Sequence, residues 1–131
     1  MAMTAKNRSA LPKRTMVCVT VQKTCERLIR EGASIAGGAG LRVVHVARSG
    51  AALLGVGSDG EALEYLYRIS REYGAEMDML RSENVLETIV DFARKYDIEC
   101  IVLGSPGAVS NHDFAGVLRA RLPSMPIVIV P

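Results

Sequence analysis

Five short apolar runs, each separated from the next by an amphipathic stretch, leave this chain few folds to choose from. The runs are Met16-Val17-Cys18-Val19-Thr20, Leu41 to Ala47, Ala75 to Leu80, Cys100-Ile101-Val102-Leu103 and Ile127-Val128-Ile129-Val130. Continuous apolar character in the first is the pattern of a strand buried on both faces. The third alternates, with Met77 and Met79 on one face and Glu76 and Asp78 on the other, as a half-exposed strand at a sheet edge does.

Between the runs the period changes to that of a helix. Residues 24–40 carry Cys25, Leu28, Ile29, Gly32, Ile35 and Ala36 at helical spacing and close in Gly37-Gly38 and Gly40, a glycine stop. Ser58-Asp59-Gly60-Glu61 has the form of a capping box opening a helix that turns Ala62, Leu63, Leu66, Ile69 and Tyr73 inward and ends at Gly74. Asn84 caps a third, with Val85, Leu86, Ile89, Ala93 and Tyr96 on its buried face, and Asp113 to Leu122 is a short fourth. Pro123 and Pro126 bracket the turn into the last strand. The order β-α-β-α-β-α-β-α-β predicts a three-layer α/β/α fold: a five-stranded parallel sheet with right-handed crossovers and helices on both faces.

At 131 residues, 49% of them apolar, the chain has material for one core rather than two. Its charge is uneven. Lys6, Arg8, Lys13 and Arg14 put four positive charges and no acid into the first fifteen residues, leaving twelve basic against fourteen acidic residues, a net −2, in the rest. Residues 1–14 are therefore expected to be a disordered basic leader and residues 15–131 the folded domain. A mildly acidic fold without tryptophan, whose Tyr and Phe residues fall in predicted helices, argues against a nucleic-acid binder. No apolar run approaches the roughly 20 residues needed to span a bilayer, and the first fifteen residues hold no signal-like apolar segment. The expected location is the cytoplasm, away from membranes.

Most motifs that could carry chemistry fail on context. Gly55-Val56-Gly57-Ser58-Asp59-Gly60 matches G-x-G-x-x-G, but it follows the second strand after a loop of several residues, whereas a dinucleotide site needs it directly after the first strand. A phosphoacceptor receiver domain needs acids after the first and third strands, where this chain has Thr20-Val21-Gln22 and Arg81-Ser82. No Walker G-x-x-x-x-G-K-[ST] occurs, and Ser105 lacks the G-x-S-x-G framing of a nucleophile elbow. Cys18, Cys25 and Cys100 have neither zinc-ligand nor disulfide spacing, and Cys18 and Cys100 sit in strand-like runs as small buried hydrophobes. His45 in a strand and His112 in a polar loop read as a packed and a solvated histidine, with no metal site and no catalytic residue assigned. The last third is different: a strand ending in Gly104-Ser105-Pro106-Gly107, then a helix and a strand, is where an open α/β sheet usually keeps its ligand.

Over about residues 15–131 the chain resembles the universal stress protein family. The resemblance is carried by Val17-Cys18-Val19-Thr20 followed by Cys25 to Arg30, by Val43-Val44-His45-Val46, by Val85 to Ala93 before Ile101-Val102-Leu103-Gly104, and by Met125 to Val130. The segment Glu26-Arg27-Leu28-Ile29-Arg30 is most similar to the universal-stress-type domain of potassium-sensing histidine kinases. The resemblance implies an adenine-nucleotide α-hydrolase-like sheet of order 3-2-1-4-5, a crevice between strands one and four, and a homodimer through the fifth strand, Ile127, Val128, Ile129 and Val130. An unpaired apolar edge there agrees with that, because such edges need a partner or protection.

ATP-binding members of the family carry an Asp at the end of strand one and a loop of form G-x-x-G, nine residues, then G-[ST]. This chain has Thr20 at the first position, keeps Gly104-x-x-Gly107, and has Val117-Leu118 at the last, with Gly116 one position early. Two readings follow. In one the protein is a regulatory or interaction module of the stress-protein type, with a regulatory protein partner and no intact ATP motif. In the other it binds an adenine nucleotide (ATP, AMP or a cyclic dinucleotide) through Thr20, Val21, Val46, Gly104, Ser105, Gly107 and Gly116. An enzyme is not expected, since no general base is identifiable.

Overall fold

The computed structural model describes residues 12–19, 25–47, 59–104 and 114–131, apart from the side chains of residues 59, 60, 62 and 63. Five strands and four helices alternate: β1 (Thr15–Cys18), α1 (Cys25–Ala36), β2 (Leu41–Ala47), α2 (Asp59–Glu72), β3 (Glu76–Arg81), α3 (Val85–Lys95), β4 (Cys100–Gly104), α4 (Phe114–Arg121) and β5 (Ile127–Val130). The strands form one parallel sheet in the order β3-β2-β1-β4-β5, as expected. The expected leader up to residue 11, the 55–60 glycine motif with its Ser58 cap, and His112 lie outside the described residues or side chains.

The side-chain period of two sorts each central strand between two cores. Val17 and Val19 of the β1 segment join Leu28, Ile29, Val43, Leu66 and Ile69 beneath α1 and α2. Met16 and Cys18 join Val44, Ile89, Val90, Ile101 and Leu118 beneath α3 and α4. β1 and the apolar residues of β4 are buried throughout, which is why they read as unbroken apolar runs. β3 is an edge strand with Met77 and Met79 half-buried against the first core. On its other face Asp78 pairs with Arg42 of β2 at 3.1 Å, and that guanidinium lies 3.7 Å from the centre of the Tyr96 ring.

Helix boundaries follow the capping chemistry. α1 stops at Ala36, at the expected glycine stop, because Gly37 (φ 51°) and Gly38 (φ 97°) take left-handed conformations that a helix cannot continue through. Asn84 caps α3 as its residue type predicts, its side-chain oxygen accepting from the Glu87 N–H at 3.1 Å. Four residues of α3, Ile89, Val90, Phe92 and Ala93, are buried, while Val85, Leu86 and Tyr96 pack at the margin of that core.

Lys13 and Arg14, assigned to the leader on charge alone, are tied to the fold. The Lys13 N–H donates to Ile35 O, and the Arg14 N–H donates to Glu99 Oε1 at 2.9 Å. Arg14 Nε donates to Asp97 O at 2.8 Å, while its own carbonyl accepts from the N–H groups of Glu99 and Cys100. Backbone register, invisible to a charge count, recruits these residues to the start of β1.

Candidate functional site

A parallel sheet whose order turns from β1-β2-β3 on one side to β4-β5 on the other has its switch point between β1 and β4. Helices on opposite faces diverge there, opening a crevice above the carboxyl ends of the strands. Cys18 pairs with Val44 on one side and with Leu103 on the other. Val46 and Gly104, two residues and one residue further along their strands, therefore flank the point at which β1 ends.

Gly104 closes β4 and is half-buried. A Cβ on it would meet Leu28 Cδ1 of α1 at 3.4 Å, so a side chain much larger than a methyl would press α1 away from the strand. Val46 packs against the second core. Gly116 lies in the first turn of α4, the helix that leaves the same pole of the sheet. Thr20, Val21, Ser105 and Gly107 lie outside the described residues. Of the seven expected nucleotide contacts, the structure thus places three at the carboxyl pole. Val117 and Leu118, standing where a Gly-Ser pair was expected, are inside α4: Val117 is exposed and Leu118 is fully buried in the second core.

Two residues not singled out as ligand contacts also lie at this pole. His45 is buried, and its Nδ1 is 2.7 Å from the carbonyl oxygen of Val19. A carbonyl can only accept, so Nδ1 carries the proton and donates, holding the chain where it leaves β1. The neighbouring valines put His45 in a strand as a packed histidine, yet nothing in the sequence could name a partner twenty-six residues away. Arg27, on the first turn of α1, donates from Nη1 to the carbonyl of Pro131 beyond β5. In sequence it is one more charge on the polar face of a helix.

The three thiols are poor nucleophiles. All are buried and none is in a disulfide with another described residue; desolvation pushes Cys18 up to about 12 and Cys25 up to about 11, and raises Cys100 against a smaller opposing effect of Lys13. Among the described residues, no group of three His, Cys, Asp or Glu side chains is arranged to hold a metal ion. No helix among them is long and apolar enough to cross a membrane.

No protein-family model matches this sequence, and no curated protein does. Solved structures do match. A universal stress protein from Archaeoglobus fulgidus superposes with a TM-score of 0.67 at 23% identity, covering 98% of this chain and 100% of the other. The universal stress protein from Archaeoglobus fulgidus in complex with dAMP superposes with a TM-score of 0.59 at 25% identity, covering 91% and 98%. A universal stress protein family protein from Arabidopsis thaliana, with AMP bound, gives 0.56 at 13% identity, covering 91% of each chain. The fold of this chain is that of the universal stress proteins, with the adenine-nucleotide α-hydrolase-like sheet.

Proposed function

We propose that this protein is a non-enzymatic module of the universal stress protein type that binds an adenine nucleotide with a single phosphate in the crevice between β1 and β4. The observation that carries the reading is the half-kept phosphate motif in a fold whose neighbours hold dAMP and AMP. Gly104-x-x-Gly107 remains where a phosphate would meet backbone N–H groups, while Leu118, where a hydroxyl residue would serve a longer phosphate chain, is in the core. One phosphate needs one cluster of donors. A triphosphate needs more than this motif keeps. Protonated buried thiols and a histidine held by a backbone carbonyl support binding rather than catalysis.

Calorimetric or thermal-shift titration with AMP, dAMP, ATP and a cyclic dinucleotide tests it. Saturable stabilisation by AMP, with ATP binding no more tightly and with the effect abolished by Gly107→Trp, is expected. No stabilisation by any of them at about 1 mM, well above a micromolar dissociation constant, overturns it.

A second reading, an interaction module without nucleotide, is favoured by Thr20 and Val117-Leu118 at positions where the ATP-binding pattern has Asp and Gly-Ser. Either reading includes self-association through β5, an edge strand on which Ile129 is 36% exposed. A relation to the domain of potassium-sensing histidine kinases, and a place in the cytoplasm, are further parts of this proposal. The Glu26 to Arg30 segment supports the first of these.

A further inference from the structure

At the pole of the sheet opposite the crevice is an open groove of about 530 Å³, within the size range of small-molecule sites. It runs beneath the starts of β1, β4 and β5, between the end of α3 and the turn after α4. Its floor is aliphatic, made by Ile98, Leu122, Pro123, Met125 and Pro126. Two cations stand over that floor, Lys13 from just before β1 and Arg94 from the last turn of α3. The other charges lining the groove are neutralised within the fold, Arg121 by Glu87 and Glu99 by Arg14. Lys13 and Arg94 have no side-chain hydrogen bond or ion pair among the described residues.

Nor are these cations needed to cap a helix. The last carbonyls of α3 are met by backbone donors: Tyr96 N–H to Phe92 O, Ile98 N–H to Ala93 O and Asp97 N–H to Arg94 O. The backbone of the floor is committed as well. Besides Ile98, Leu122 N–H donates to Leu118 O and Met125 N–H to Leu122 O, while Pro123 and Pro126 have no N–H to offer. A molecule lying on this floor therefore finds apolar surface to cover but no amide donor to bond.

We propose that this groove binds a small aliphatic carboxylate, its chain on the floor and its head between Lys13 and Arg94. Charge complementarity and the want of backbone donors together select the occupant. The Arg94 guanidinium can take both oxygens of a carboxylate, and Lys13 adds a compact positive charge beside it. The aliphatic chain covers the floor and needs no hydrogen bond in place of the water it leaves. A peptide laid there would strip water from its carbonyls without meeting an N–H on the floor, which opposes docking. Nucleic acid would find no aromatic ring among the lining residues on which to stack a base. Glu99, held by Arg14, does not enter into the choice. This site is separate from the β1–β4 crevice and binds its ligand with or without a nucleotide there.

The test is isothermal calorimetry on the full chain with octanoate, beside octylamine, which reverses the head charge, acetate, which lacks the chain, and the acidic peptide Glu-Asp-Leu-Glu-Asp-Leu-Glu. Saturable binding of octanoate is expected, in the low millimolar range or tighter, with the other three each binding more weakly. A Lys13→Gln/Arg94→Gln variant should bind octanoate roughly tenfold more weakly or worse, as the loss of two charge-assisted contacts requires. Ser124→Glu, which places an acid on the exposed rim without disturbing the core, should weaken binding independently. Absence of saturable octanoate binding, binding of octylamine, acetate or the peptide at equal strength, or indifference to either variant overturns the proposal.

Discussion

Gly32 of α1 lies so close to Val17 of β1 that a Cβ on the glycine would fall 2.4 Å from Val17 Cγ2, with Leu41 Cδ1 at 3.1 Å. The helix rests on the central strand through bare backbone, and this contact fixes its height above the sheet. The same seating brings Leu28, one turn earlier, against Gly104 at the crevice.

Gly32→Ala should therefore destabilise the protein, although alanine is the better helix former. Overpacking a buried contact costs about 1–3 kcal/mol, against roughly 1 kcal/mol gained in helix propensity. Denaturant unfolding of Gly32→Ala, Val17→Ala and the double variant checks this. The double variant should be more stable than the sum of the two single losses predicts, because the smaller strand residue makes room for the methyl.

Alkaline pH should loosen the fold through its cysteines. Cys18 and Cys25 are raised from an ordinary value of 9.0 to about 12 and about 11 by burial. The stabilisation from keeping these thiols protonated is fully present below about pH 9 and is lost as pH rises towards the folded values. In that window the unfolded chain has released protons that the native chain still holds, so stability falls by about 1.4 kcal/mol per pH unit for each thiol. Unfolding midpoints between about pH 8 and about pH 10, roughly one pH unit either side of the free thiol value, should show a shallower slope for Cys18→Ala than for the parent. Equal slopes would mean that Cys18 does not contribute.

Self-association through β5 predicts that Ile129→Lys yields a monomer by sedimentation. Ile129 is already 36% exposed on an edge strand, so a lysine there leaves the core intact while putting a charge on the edge. An unchanged dimer mass would move the interface elsewhere. A monomeric parent would remove it altogether.

The alternation of apolar runs and helical periods was enough to specify five strands, four helices and a covered parallel sheet, because burial on both faces and the 3.6-residue period write themselves directly into residue order. Met77 and Met79 opposite Asp78 likewise marked β3 as an edge, and Asn84 marked the start of α3. Side-chain partners far apart in the chain were not legible. That Arg14 belongs to the fold, that His45 holds Val19, and that Gly32 seats α1 on Val17 depend on register and on the spacing of layers, which no local pattern encodes. The same holds for the two poles of the molecule. Sequence pointed to the glycines after β4, but only the packed sheet gathers Lys13 and Arg94 over the residues that follow α4, since groups about eighty positions apart become neighbours only when their strands do.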